Sequence, residues 1–115
     1  MQKFELPYPP SVNTYWGFSG SRRYLTKKAV AFKKEVAQIV SKGKPCGSER
    51  LSIHIKLNPP DKRVRDIDNC LKSLLDALCQ AGLFDDDSQI DRILLVRDEV
   101  IKFGKCVVIL KKIGA

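Results

Sequence analysis

Hydrophobic positions along the chain follow two periods. Residues 51–57 alternate strictly: Leu51, Ile53, Ile55 and Leu57 fall on one side, Ser52, His54 and Lys56 on the other. That is the pattern of a strand with one buried face, and Pro59 and Pro60 end it. Two other stretches have helical spacing. Ala29, Phe32, Val36, Ile39 and Val40 form a stripe in a helix predicted from its N-cap at Thr26 to about residue 42. Leu71, Leu74, Leu75 and Leu78 form a second stripe, in a helix that begins near Asp66 to Asp68 and stops at Gly82. Residues 4–6 read as a short strand. Residues 90–102 and 105–111 read as two strands joined by a tight turn at Phe103 and Gly104. The proline-rich stretch 7–16 should be extended, because residues before proline avoid the helical region. Residues 17–23 read as a flexible turn with two arginines, 43–48 as a loop and 84–88 as an acidic turn.

The order is therefore strand, helix, strand, helix, strand, strand. Strands linked as a hairpin at the end argue for an α+β fold, a mixed sheet of about four strands with two main helices on one face. With 115 residues, the expectation is one domain spanning 1–115. A hydrophobic share of 43% excludes a disordered basic tail. No apolar run approaches the roughly 20 residues of a membrane-spanning helix. Lys3 and Glu5, followed by prolines at 7, 9 and 10, do not suit a signal peptide, so the expected location is cytoplasmic.

Charge changes the picture. The 21 basic and 13 acidic side chains leave a formal charge of +8, which points to an anionic partner, most simply nucleic acid. Cys46, Cys70, Cys79 and Cys106 have no C-x-x-C spacing, and His54 is the one histidine, so a zinc knuckle is disfavoured and reduced, buried thiols are expected.

The acids are placed unexpectedly for a DNA-seeking protein. Asp66 and Asp68 directly follow Lys62, Arg63 and Arg65, and Asp85, Asp86 and Asp87 come later. Clustered aspartates need a positive charge among them, and Mg²⁺ takes one or two carboxylates together with phosphate and water. The basic residues would then hold a phosphodiester while the acids hold the ion. Asp68, Lys72 and Asp76 are spaced i, i+4, i+8, which sets Lys72 beside Asp68 on the face opposite the leucines, where an ammonium can meet charge developing on a phosphate. Plainer roles compete. Asp66 or Asp68 serves equally as an N-cap, Asp68–Lys72 as an exposed pair worth about 0.2–0.5 kcal/mol, and residues 85–87 as a solvated turn. An EF-hand is excluded, since its sixth position, glycine in that motif, would be Leu71.

At these residues the chain resembles the RusA family of Holliday-junction resolvases over nearly its whole length. The resemblance rests on Leu6-Pro-Tyr-Pro-Pro-Ser-Val-Asn13, on Arg65-Asp-Ile-Asp-Asn69 with Lys72, on Asp76-Ala-Leu78 and Ala81-Gly82, and on Asp86-Asp-Ser-Gln-Ile90. It implies a RusA-like fold and a homodimeric, Mg²⁺-dependent endonuclease that cuts four-way DNA junctions in recombination and repair. It implies Asp66, Asp68, Lys72 and Asp87 as the active-site groups, with Asp66, Asp68 and Asp87 as metal ligands. Asp85 stands where the family has an apolar residue, which leaves the choice between Asp86 and Asp87 open. Lys62, Arg63 and Arg65 would contact DNA phosphates; Arg22, Arg23, Lys27 and Lys28 either extend that track or form a solvated face. Two alternatives stand beside this reading. One is a module that binds branched or single-stranded DNA without cutting it, with Tyr15, Trp16 and Phe18 stacking on bases; the plainer role of those aromatics is core or dimer packing. The other is a metal nuclease for flaps or duplex.

Overall fold

The computed structural model describes residues 1–113; Gly114 and Ala115, the end of the expected domain, lie outside the described residues. In chain order the elements are β1 (Gln2–Leu6), α1 (Val12–Tyr15), β2 (Trp16–Ser19), β3 (Arg22–Leu25), α2 (Lys27–Val40), β4 (Leu51–Asn58), α3 (Leu71–Gln80), a 3₁₀ turn (Asp87–Gln89), β5 (Ile90–Arg97) and β6 (Lys105–Lys112).

The alternation in β4 decides the architecture. Leu51, Ile53, Ile55 and Leu57 are fully buried, and His54 and Lys56 face solvent. Each such aliphatic side chain contributes about 1.5–3 kcal/mol on burial. β6 pairs antiparallel with β4 and sets Val108 opposite Ile55 and Leu110 opposite Ile53. β1 pairs antiparallel with the outer edge of β6. The sheet order is β1-β6-β4-β5. Ala29, Phe32, Val36 and Val40 of α2 and Leu74, Leu75 and Leu78 of α3 are buried, most of them in the same apolar cluster as the inward side of the sheet. This is the expected α+β arrangement of a mixed four-stranded sheet and two main helices. Thr26 caps α2 as expected, accepting from the Ala29 amide at 3.3 Å. Among the described residues no helix is long and apolar enough to cross a membrane.

The final hairpin is not formed. β5 runs parallel to β4, and β4 lies between β5 and β6. A parallel partner needs a crossover, and α3 provides it. The strand expected over 90–102 stops at Arg97, and the chain then crosses the end of β4: the Asp98 amide donates to the Leu57 carbonyl at 2.8 Å, and that of Ile101 to Pro59 at 3.0 Å. The turn at Phe103 and Gly104 is present, but it feeds β6 onto the opposite edge of β4. Three smaller differences follow local hydrogen bonding. The stretch expected to be extended contains α1. The expected flexible turn is a β2–β3 ribbon that turns at Gly20, where φ is 64°. α3 starts at Leu71, later than expected, because residues 66–71 form successive tight turns in which the amides of Asn69 and Leu71 bond the carbonyls of Asp66 and Asp68.

Phe103 has a φ of 71° and is 85% exposed. A left-handed conformation crowds Cβ and costs a bulky residue about 1 kcal/mol or more, with little burial here to offset it. Phe103→Asn should therefore raise the free energy of unfolding by about 1 kcal/mol, read from urea denaturation at constant m; a lower unfolding midpoint would contradict the strain.

Candidate active site

α3 buries its leucines and presents Lys72 and Asp76 on its outer side, one turn apart. The Lys72 ammonium lies 3.2 Å from Asp76 Oδ1 and 3.3 Å from Asp87 Oδ2. Asp87 arrives from a segment that is built with care. Phe84 is buried, and the Asp85 amide donates to the Gly47 carbonyl at 3.1 Å. Asp86 caps the 3₁₀ turn by accepting from the Ser88 amide at 3.0 Å, and Gln89 Oε1 accepts from the Asp86 amide at 2.8 Å. The buried Gln89 amide donates in turn to the carbonyls of Gly47 and Glu49, at 2.9 and 2.6 Å. The acidic stretch is thus an anchored corner. Its sequence signal was Asp86-x-x-Gln89, a capping box.

This geometry separates the adjacent acids. Asp86 turns its carboxylate onto its own backbone, and hydrogen bonding from Ser88, side chain first and backbone second, holds its pKa below the ordinary value. Asp87 faces Lys72. The Lys72 pKa is raised, first by its hydrogen bond to Asp76, then by the Asp76 charge and by Asp87. Lys72 is therefore a fixed cation at neutral pH and no proton acceptor.

Asp66 and Asp68 are exposed in the turns that lead into α3. The proline-rich segment is stitched against the same place: the Val12 amide donates to the Asn69 carbonyl at 2.7 Å, and Ser73 Oγ to the Pro10 carbonyl at 2.6 Å. A groove of about 870 Å³ opens beside it, with Tyr8, Lys28, Arg63, Val64, Asp66 and Phe103 in its walls. The basic loop is internally paired. Arg65 Nη1 lies 2.8 Å from Asp61 Oδ1, and Arg63 Nη2 lies 3.1 Å from Asp61 Oδ2. Lys62 is exposed and joins no ion pair found among the described residues. The two arginines expected on phosphate are thus held by a carboxylate that sequence reading gave no role.

The structure brings Lys72 and Asp87 together and adds Asp76; Asp66 and Asp68 stand at the adjoining turn. Among the described residues no three His, Cys, Asp or Glu side chains are gathered closely enough to hold a metal ion. The expected meeting of 66, 68 and 87 is not a preformed cage. Ionised carboxylates repel, and Lys72 supplies the positive charge that holds Asp76 and Asp87 close. The donors are all carboxylate oxygens, which suit a hard cation such as Mg²⁺. That ion is commonly held by one or two carboxylates plus water and substrate phosphate, so the donor set fits it without a three-acid cage.

The Asp61 pairing has a pH signature. Hydrogen bonds from Arg65 and then Arg63 hold its carboxyl well below the ordinary 3.8. A depressed folded pKa means the pairing stabilises the fold fully above that ordinary value and is lost as pH falls through the lower, folded one. Followed by carboxyl ¹³C NMR, Asp61 should titrate well below pH 3.8. A midpoint at or above that value would show that the arginines are free.

Comparison with known proteins gives a consistent result. Residues 7–108 match the family described as endodeoxyribonuclease RusA. The crossover junction endodeoxyribonuclease rusA of enterobacteria phage HK97 is 43% identical over 105 residues, which cover 90% of this chain and 88% of that protein. The phage 82 protein of the same name is 33% identical over 112 residues, 95% of this chain and 92% of that one. The RusA of Escherichia coli strain K12 is 32% identical over 111 residues, with the same coverage of 95% and 92%.

Proposed function

The chain belongs to the RusA endodeoxyribonuclease family, and on that premise we propose that it cuts four-way DNA junctions as a homodimer, using Mg²⁺, in DNA recombination and repair in the cytoplasm. The observation that carries this reading is the Lys72–Asp87 contact, which sets an ammonium among carboxylates on a chain of formal charge +8. A protein that only bound DNA would gain nothing from opposing phosphate with such a cluster.

The chain's own groups have distinct tasks. Lys62 meets the DNA backbone directly. Arg63 and Arg65 exchange Asp61 for phosphate oxygens, an exchange their planar guanidinium groups suit. Asp66, Asp68 and Asp87 would hold Mg²⁺, which when bound polarises a phosphoryl oxygen and lowers the pKa of a bound water. Lys72 stays protonated and stabilises the charge that builds on the phosphate as water attacks phosphorus and the bridging oxygen leaves. A two-fold dimer presents two equivalent sites to two strands of like polarity.

Labelled four-way junction, flap and linear duplex, each incubated with Mg²⁺ or with chelator, test this reading. Cutting should require Mg²⁺ and favour the junction. Asp68→Asn and Asp87→Asn should each lower cleavage at least about 10²-fold while junction binding persists. Asp86→Ala should instead lower the unfolding midpoint through its lost cap and retain measurable cutting. Cleavage that survives Asp87→Asn but not a folded Asp86→Ala would reverse these roles, and binding without any cutting would leave only the non-catalytic alternative.

A further inference from the structure

We infer that the groove beside Asp66 receives a nucleobase of the cleaved strand, unpaired at the branch and stacked on Phe103. This deepens the junction-nuclease reading above and rests on it. The groove volume of about 870 Å³ lies within the range of pockets that enclose small organic groups. Its walls combine two chemistries. Tyr8, Phe32, Val64 and Phe103, with several prolines, offer flat or apolar surface; Lys28 and Lys34 offer positive charge, joined by Arg63 and Arg65 once they exchange Asp61 for phosphate, against Glu35 and Asp66. A planar ring on an anionic backbone matches that combination. Asp66 lies both in this wall and among the acids of the candidate site, so a base held here belongs to a nucleotide close to the scissile phosphate.

Phe103 is the reason to choose a base as the occupant. It is 85% exposed on a backbone with φ of 71°, a position that glycine or asparagine would fill at less cost. Its turn is set firmly against the groove. A Cβ on Gly104 would stand 2.6 Å from Tyr8 Cβ and 3.4 Å from Pro60 Cδ. The Lys102 ammonium, 5.3 Å from the Phe103 ring centre, adds a cation for the adjoining phosphate. On the basic loop that shares this groove, Val64 is fully exposed. Stacking on an aromatic ring accepts any base, and extruding a base costs least where it is already unpaired, which favours a branch over continuous duplex.

The test measures binding of the intact chain to a four-way junction in chelator, by fluorescence anisotropy, with single abasic substitutions at the nucleotides around the branch. At one position the abasic change should weaken wild-type binding about tenfold. Phe103→Asn should weaken binding to the unmodified junction by a similar factor, and the abasic change should then add less than about twofold. Phe103→Trp should restore the affinity. Affinity for linear duplex should be unchanged, and a Phe103→Asn chain at least as stable as wild type excludes misfolding as the cause. Wild-type affinity in Phe103→Asn, abasic and protein losses that multiply, or a loss explained by dissociation of a dimer in sedimentation would each overturn the inference. The last would make a second copy of the chain the occupant. Cutting by wild type without this coupling defeats the groove alone, and coupling without cutting defeats the nuclease reading alone.

Discussion

The site depends on one ion cluster: an ammonium on α3 held between a carboxylate one helical turn away and another 15 residues along the chain. Lys72 is about two-thirds exposed, so the contact adds little to stability; exposed pairs contribute roughly 0–1 kcal/mol. Its consequence is positional. Acids that would repel one another are kept near a cation, and a basic surface approaches from the adjoining loop. The parallel placement of β5 makes this possible. Because the chain leaves α3 and enters the edge of the sheet beside β4, the corner that carries Asp87 returns to the outer face of the helix.

Elements with a strong local period were legible in the sequence. β4, α2 and the leucine face of α3 each state which side is buried, and the structure buries those sides. Strand order was not legible. Two strands separated by a short turn look like a hairpin, and nothing in their own residues shows that β4 lies between them; that follows from pairing with a distant partner. The β2–β3 ribbon was missed because its aromatic and basic residues lack alternation, although Gly20 marked the turn. At the site, Lys72 and Asp87 were named from the sequence and Asp76 was set on the same helix face. The expected Asp68–Lys72 pair does not form among the described residues, because α3 starts only at Leu71 and Lys72 pairs with Asp76 and Asp87. The grip of Asp61 on Arg63 and Arg65 was not legible, since charge counting treats each arginine as free.

Stability and function pull apart in two places. The Asp61 carboxylate pairs with Arg63 and Arg65, the arginines proposed to meet phosphate, which ties the loop together while occupying their guanidinium groups. Phe103 keeps an exposed aromatic ring on a strained backbone at the mouth of a basic groove. By contrast, the corner that presents Asp87 is fully satisfied, with Gln89 buried and bonded at both ends of its amide. The anchored corner aims Asp87, and the residues proposed to meet DNA lie on the exposed loop.

Paramagnetic relaxation by substoichiometric Mn²⁺, standing in for Mg²⁺, tests the central claim most directly. Carboxyl resonances of Asp66, Asp68 and Asp87 and the side-chain signals of Lys72 should broaden first, and those of Asp61 and Asp91, both paired with arginine, should stay sharp. Broadening spread evenly over the acids, or centred on Asp61 or Asp91, would contradict a cation site built around Lys72.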